Sequence, residues 1–563
     1  MKTKASIVSR KDFVPELLRV FRYGYSTSQF FKDLIAGFTV GVVALPLALA
    51  FAIGAGATPS QGLWTAIVAG FSIALLGGSR FQISGPTGAF VVVISGVISL
   101  HGMSGLISAT FLAGIILLVF GLSGLGKLIK FIPYPVTTGF TTGIGVIIAV
   151  GQLKDFFGLQ IPEYPADFLP RIASLSSHFQ SLDSFSTSIG IFTIGVILLM
   201  RRFLPRIPAA LTAVILGAGA SVLLSLPIET IGSRFGQIPK GIPVLGLPDL
   251  RLDTIRAVFP AAITIALLGG IESLLSAVVA DGMTGYRHNS NGELAAQGIG
   301  NMLSSLFGGI PATGAIARTA TNIKSGGQTP ISGIVHAIVL LVFTLFLADL
   351  AAVIPLASLS GVLLVVAWDM SEIRRFWSVR RAPRSDLFVM LLTFGLTVAI
   401  DLTVAVQAGI IVSVLLFVRR VMQTSDIQLI EEIFEAESDG QPIGPENLSI
   451  PKGVEIYEIN GPFFFGTADM FQDTIGNLES PPKVFILRMR KVPAMDATAM
   501  NALESFRKRY IHLGTHLILS GVVEQPRKAL TSIGFVKKLG EENVCSTITE
   551  ALDRAKEILE EIE

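Results

Sequence analysis

The chain has one cysteine, Cys545, in 563 residues. That excludes an intramolecular disulfide and a cysteine-rich metal site. Charged residues are scarce, at 15%, against about 25% in soluble proteins. The net charge of +2 is too small for a nucleic-acid binder, and no basic stripe with interleaved aromatics is present. There is no Walker phosphate loop, Rossmann glycine fingerprint, zinc-ligand spacing or nucleophile elbow, so nothing marks an enzyme. Residues 1–32 mix Lys, Arg, Asp and Glu and lack an apolar core with a small-residue cleavage site. No signal peptide is expected, and the first spanning helix should act as its own insertion signal.

What the chain does have is apolar length. Hydrophobic residues make up 51%, and the mean hydropathy is +0.66. They concentrate between Asp33 and about Arg420, whereas the chain after Gln423 reads as a soluble α/β domain. Spans are expected near 33–52, 62–77, 87–100, 104–122, 133–151, 186–201, 209–226, 256–280, 294–308, 314–323, 329–348, 355–367, 386–401 and 402–420. Stretches 87–100 and 314–323 are too short to cross a bilayer and read as half-helices. Arg80, Lys127, Lys130, Arg201, Arg202, Arg206, Arg287, Lys324 and Arg374 to Arg384 fall in loops on one side, with Arg419 and Arg420 closing the last helix there. The positive-inside rule then puts both termini and the soluble domain in the cytoplasm.

The tripeptide Thr-Gly-Ala occurs twice, as Thr87-Gly88-Ala89 after Pro86 and as Thr313-Gly314-Ala315 shortly after Pro311. Divided near Leu252, the chain has seven expected helices on each side. Thr87 lies 54 residues after Asp33, and Thr313 lies 57 after Arg256. An odd number per half inverts the second half, giving a 7+7 inverted repeat, and Gly/Pro-interrupted segments at matching places mark a transporter binding site. A helix starting at mid-membrane leaves its first N–H groups unpaired and carries about half a positive charge there. Two such N-termini facing one another form an anion site without any lysine. Gly88 and Gly314 admit a ligand close to the backbone, and the Thr87 and Thr313 hydroxyls are expected to cap the helices or touch the ligand. Arg318, one turn deeper, adds a fixed positive charge.

Ionisable residues at depth are functional hypotheses by default. Glu272 sits near the middle of a span, with Ser276 one turn further on the same face. It reads as a coupling site that takes up H⁺ or helps hold Na⁺, or as an ion pair with Arg318. Its protonation would remove charge repulsion as an anion enters. Lys32 and Asp33 are expected at the interface, Asp401 in a short turn, and His336 as a satisfied core histidine. Leu45-Pro46-Leu47 is expected to break the first helix, with Phe51 one turn later. In the tail, strands are expected at Gly453–Ile459, Val484–Met489 and His516–Ser520. Helices are expected near Ala468–Leu478, Asp496–Leu513, Gln525–Ile533 and Ile548–Ile562. Asp496 reads as an N-cap, and Thr498 beside it as a possible phosphosite.

Phe81-Gln82-Ile83-Ser84-Gly85-Pro86-Thr87-Gly88-Ala89, the stretch from Glu272 to Thr284, and Gln297-Gly298-Ile299-Gly300-Asn301 resemble the sulfate permease (SulP) family and its solute-carrier relatives. The tail resembles their STAS domain. The resemblance implies a polytopic α-helical membrane protein of 14 helices, with core and gate domains, elevator motion and a homodimer. It divides the chain into a cytoplasmic segment 1–32, a transport domain 33–422 (halves 33–251 and 252–422), an acidic linker 423–451 and a cytoplasmic α/β STAS domain 452–563. By position it assigns the anion site to Thr87, Gly88 and Ala89 facing Gly314, Ala315 and Ile316, with Leu47 and Phe51. Sodium-coupled relatives carry Asp at the Glu272 position, Thr at the Ser276 position and Thr where Ile316 stands. The loss of that hydroxyl and the longer acid favour H⁺. The region around Glu272 and Val365 to Glu372 is most similar to a proton-coupled C4-dicarboxylate branch. The function expected is therefore H⁺-coupled uptake of C4-dicarboxylates (succinate, fumarate, aspartate) across a bacterial inner membrane, without other cofactors. Sulfate or bicarbonate permease, or a STAS-regulated channel, are the alternatives. The expected partners are the anion, the lipid bilayer, a second copy and a cytoplasmic regulator of the STAS domain, with no nucleic acid.

Overall fold

The computed structural model describes residues 13–126, 133–165, 167–204, 207–237, 239, 241–400, 402–423, 426–430, 450–476 and 481–562. Lys127, Lys130, Arg206, Asp401 and most of the expected linker lie outside the described residues. The chain separates into two compact units, residues 1–413 and 414–563.

The first unit is helical. A short helix α1 (Glu16–Tyr23) precedes α2 (Thr27–Gly54) and α3 (Pro59–Leu76). The two-residue strand β1 (Ser84–Gly85) leads into α4 (Gly88–Leu122), then α5 (Tyr134–Phe157), α6 (Phe168–Ser177), α7 (Ser184–Phe203) and α8 (Ala209–Leu223). The second half repeats this with α9 (Leu252–Thr284), α10 (Ser290–Leu306), strand β2 (Thr313–Gly314), α11 (Ile316–Lys324), α12 (Ile331–Phe346), α13 (Leu356–Met370), α14 (Arg384–Ala399) and α15 (Leu402–Gln423). Within α4 the backbone breaks at Gly102, whose φ of 67° suits glycine. Counting its two arms separately gives seven membrane helices per half among the described residues. Among the described residues, seven helical stretches are long and apolar enough to cross a membrane.

The inversion is visible in the packing. α2 lies on α12, as α9 lies on the second arm of α4; α3 lies on α12, as α10 lies on that arm. Lipid supplies no hydrophobic drive between helices, so close backbone approach must do the work. A methyl group on Gly114 would come within 2.6 Å of the Gly298 carbonyl oxygen, and one on Gly298 within 2.5 Å of that of Gly114. Gly37 meets the Ser332 carbonyl oxygen just as tightly, at 2.4 Å. These helices, with α11, form the core. The gate comprises α5, α7, α8, α13 and α14, in which α5 packs on both α13 and α14.

Three expectations change. Pro46 does not break α2, which runs through it. Asp33 is not interfacial but wholly buried. It accepts hydrogen bonds from Tyr25 Oη (2.9 Å), Gln328 N (2.6 Å), Thr329 N (3.0 Å) and Thr329 Oγ1 (2.6 Å), tying α2 to the start of α12. His336 is a core residue, yet neither ring nitrogen has a hydrogen-bond partner within the protein.

The second unit holds a five-stranded sheet in the order β3 (Asp426–Leu429), β4 (Val454–Asn460), β5 (Val484–Arg488), β6 (His516–Ser520) and β7 (Val544–Cys545). Only the β3–β4 pair is antiparallel. Tyr457, Phe485 and Leu519 face one side, under α16 (Phe465–Gly476), α17 (Ala497–Ile511) and α18 (Glu524–Ser532). Ile456, Ile486 and Ile518 face the other, under α19 (Ile548–Ile562). Burial on both faces explains why residues 484–487 and 517–519 read as unbroken apolar runs. β3 falls where a linker was expected; its Asp-Ile-Gln-Leu is too short and polar to announce a strand. Asp496 does cap α17, its Oδ1 accepting from Ala499 N at 2.9 Å, while Thr498 is exposed in the first turn.

Candidate functional site

β1 and β2 pair antiparallel across the inversion, Ser84 with Gly314 and Gly85 with Thr313. α4 begins three residues after β1, and α11 two residues after β2. The paired strands therefore hold two helix N-termini side by side in the core of the unit. No side chain caps either helix. Their first-turn N–H groups therefore have no side-chain partner, and each end carries about half a positive charge.

The threonines do not cap as expected. Thr87 Oγ1 donates to Glu272 Oε2 at 3.1 Å. Thr313 Oγ1 donates to the Gly269 carbonyl at 3.0 Å and lies 2.7 Å from Ser273 Oγ. Thr313 is thus anchored to α9. Thr87 joins the first half-helix to the acid on α9. Gly88 is crowded in front: a methyl group there would meet Met370 Sδ at 2.7 Å, Phe51 Cε1 at 3.2 Å and Ile148 Cδ1 at 3.3 Å. Phe51 belongs to the core, Met370 and Ile148 to the gate. Leu47, one turn before Phe51, is half-buried, Ala89 and Ala315 are buried, and Ile316 is exposed.

Glu272 makes no ion pair with Arg318. The Arg318 guanidinium is buried and donates through Nη2 to the Pro86 carbonyl oxygen. A methyl group on Gly85 would come within 2.7 Å of its Nη1. The charge therefore lies behind the strand pair and backs the first half-helix rather than lining a cleft. Ser276 does not join Glu272 either; its hydroxyl donates to Thr319 Oγ1 at 3.1 Å, which also accepts from Ile83 N at 3.1 Å.

One buried acid close to the strand pair, Glu293, escaped the sequence reading. Glu293 sits in the first turn of α10. Its Oε2 accepts from Gly78 N (3.0 Å) and Ser79 N (3.1 Å), and its Oε1 from Gln82 Nε2 (2.9 Å) and Gln297 Nε2 (3.1 Å). Gln297 Nε2 also reaches Ser84 Oγ at 3.0 Å. Asn301, one turn on, clasps Ala312 through its N–H (2.8 Å) and carbonyl (2.9 Å). One face of α10 thus fixes the approach to both half-helices. The signal was the Glu-x-x-x-Gln-x-x-x-Asn spacing on an otherwise apolar helix. Glu293→Ala would strand four donors, each costing about 1–3 kcal/mol when buried and unpaired. The midpoint of thermal unfolding in detergent should drop by several degrees, whereas a surface substitution should leave it in place.

Two uncapped half-helix N-termini held side by side across an inverted repeat have the form of an anion site in a transporter. The sulfate permease family matches residues 30–393 and the STAS domain residues 447–551. The chain belongs to the sulfate permease family and is an anion transporter, a multi-pass membrane protein and not an enzyme. It is 40% identical over 522 residues to the putative sulfate transporter YvdB of Bacillus subtilis (strain 168), covering 92% of this chain and 97% of that one. It is 32% identical over 543 residues to the bicarbonate transporter BicA of Picosynechococcus, covering 93% and 94%. The solved transmembrane domain of a cyanobacterial BicA matches with a TM-score of 0.61 and 34% identity, over 69% of this chain and 98% of that one. Murine Slc26a9, an anion transporter solved in the inward-facing state, shares the fold with a TM-score of 0.86 and 18% identity, over 99% and 96%.

Proposed function

We propose that the protein is a secondary active, proton-coupled importer of a compact oxyanion. The anion sits between the N-termini of α4 and α11, against Thr87, Gly88, Ala89, Gly314, Ala315 and Ile316, with Phe51 and Leu47 at its edge. The observation that carries this reading is the Thr87–Glu272 hydrogen bond, which joins the anion-binding half-helix to the one acid beside it. An anion arriving at Gly88 meets the field of Glu272. A proton on Glu272 removes that repulsion, so uptake of the two is favoured together. Ser276 is engaged with Thr319, and the Ile316 side chain offers no oxygen, which supports H⁺ over Na⁺ as the coupling ion. Core and gate meet mainly where α2 and α4 lie against α5, α8 and α13. Those limited contacts suit an elevator-like slide of the core, in a homodimer, with both termini in the cytoplasm of a bacterial inner-membrane protein.

Sulfate and bicarbonate fit this site better than the C4-dicarboxylate expected from the local resemblance. The relatives are named for those two anions, and Met370 closes the space in front of Gly88. A second carboxylate would need a second cation, and Arg318 lies behind the strands. Met370→Ala should open that space and raise succinate uptake relative to sulfate by about tenfold. Competition assays in proteoliposomes read this ratio; an unchanged ratio removes Met370 as a size filter. Thr498, exposed at the start of α17, fits a phosphorylation site through which a cytoplasmic partner regulates the STAS domain.

A further inference from the structure

The last turn of α13 gives two neighbouring residues different partners. Met370 reaches Gly88, where its Sδ is the atom nearest to an added methyl group, at 2.7 Å. Asp369 turns instead to the last turn of α7 and takes Arg201 in a bidentate pair. Nη1 donates to Oδ1 at 3.1 Å and Nη2 to Oδ2 at 2.7 Å. Successive residues on a helix point about 100° apart, so fixing the direction of Asp369 fixes that of Met370. The same turn is seated on α5. Thr142 Oγ1 donates to the Ser371 carbonyl at 2.7 Å, and Ser371 Oγ donates to that of Trp368 at 2.8 Å. A methyl group on Gly145 would come within 2.8 Å of the Ala367 carbonyl oxygen, so the two helices touch almost backbone to backbone. Just beyond, the chain reverses at Glu372, whose φ of 41° lies in the left-handed region without being glycine. Such a conformation persists only where its surroundings impose it. Arg201 and Asp369 are each 47% exposed. An exposed ion pair adds little to stability; what a bidentate one supplies is direction.

We propose that the Arg201–Asp369 pair is a positioning latch for the anion site: it aims Met370 across Gly88 and so sets how large an anion can settle on the N-terminus of α4. This rests on the reading of Met370 as the residue that closes the space in front of Gly88. Neither Arg201 nor Asp369 touches the anion; both act through Met370. With the pair broken, the end of α13 keeps its seat on α5 but loses its tie to α7. Met370 then swings off Gly88, and longer anions gain relative to compact ones.

The test compares succinate with sulfate uptake by the full-length protein in proteoliposomes. Arg201→Gln and Asp369→Asn should each raise the succinate-to-sulfate ratio at least threefold. Exchanging the charges, Arg201→Asp with Asp369→Arg, should bring it back within twofold of the parent. Arg202→Gln, at the neighbouring cation, should leave it in place. Added to Met370→Ala, Arg201→Gln should have no further effect, the non-additivity expected of residues that act through one another. A merely structural role would lower both fluxes together and leave the ratio unmoved. A second measurement needs no transport. The one native thiol, Cys545, is buried, and burial together with the Glu550 charge pushes it up to about 11, so a thiol introduced by Met370→Cys dominates labelling. N-ethylmaleimide is neutral, so losing a charge does not itself alter its rate. In detergent, Arg201→Gln should speed this labelling at least threefold, and the exchanged charges should restore the parent rate. An unchanged labelling rate in Arg201→Gln, no recovery on exchange, or an additive effect on Met370→Ala each overturn the proposal. So does a ratio that Met370→Ala moves and Arg201→Gln does not. If labelling responds to Arg201→Gln while Met370→Ala leaves the ratio unmoved, the size filter has failed and the positioning of residue 370 by the pair stands.

Discussion

Replacing Glu272 with Gln should sever sulfate uptake from the proton gradient while sparing exchange. Gln keeps the size of the side chain and can still accept from Thr87, whose hydroxyl donates to Glu272 Oε2. It cannot take up a proton. The imposed pH gradient should then give no more uptake than equal pH on both sides, a loss of roughly tenfold or more, which corresponds to one to two kcal/mol of coupling. Counterflow of labelled against unlabelled anion needs no net proton movement and should fall by less than about threefold on the same reasoning. If Glu272→Gln retains acid-driven accumulation, the coupling role is wrong. If counterflow is lost as well, the acid is part of the anion site's architecture and not its proton switch.

Gly314→Ala should be the most damaging single methyl in the first unit. The added carbon would stand 2.1 Å from Gln82 Nε2 and 2.6 Å from its Cδ. Gln82 cannot simply swing aside, because its amide donates to Glu293 Oε1. Either the strand pair parts or Gln82 abandons a buried carboxylate, at a cost of about 1.5–3 kcal/mol for a hydrogen bond to a charged group. Sulfate binding should become undetectable by equilibrium titration, and the thermal midpoint should fall. Gln82→Ser should relieve the collision, so the double substitution should bind better than Gly314→Ala alone, a non-additivity expected of residues in contact. Gly88→Ala meets the flexible end of Met370 instead, and should weaken binding with a smaller loss of stability. Unchanged affinity in Gly314→Ala would sink the two-helix site.

Much of this could be read from the chain. The two Thr-Gly-Ala copies, the short segments that carry them and the Arg-rich loops depend on local composition, and local composition is what a sequence displays. The expected half-helix 314–323 is realised as Ile316–Lys324, and the strand His516–Ser520 lies where it was expected. What stayed hidden depends on partners far away in the chain. The β1–β2 pairing is main-chain hydrogen bonding between residues about 230 apart and leaves no side-chain pattern. Asp33 looked interfacial because the Thr329 and Gln328 groups that satisfy it lie nearly 300 residues on. Glu293 went unnoticed because it stands just before an expected span at 294, where a charge passes for an interface residue. Glu272 and Arg318 were both legible as unusual, but their separation was not: each finds an uncharged partner, Thr87 and the Pro86 carbonyl, from the same short stretch before and at the start of α4.

That stretch, residues 81–89, is where strand pairing, the proposed anion site and the acid converge. The account therefore stands on a wild-type property more than on any variant. Purified protein in proteoliposomes, with an acid exterior and the membrane potential clamped, should accumulate labelled sulfate or bicarbonate above its external concentration. It should release the anion when a protonophore collapses the gradient, and handle succinate and fumarate more weakly. A flux that only equilibrates the anion, or one that ignores the pH gradient, would contradict the proton-coupled transporter proposed here.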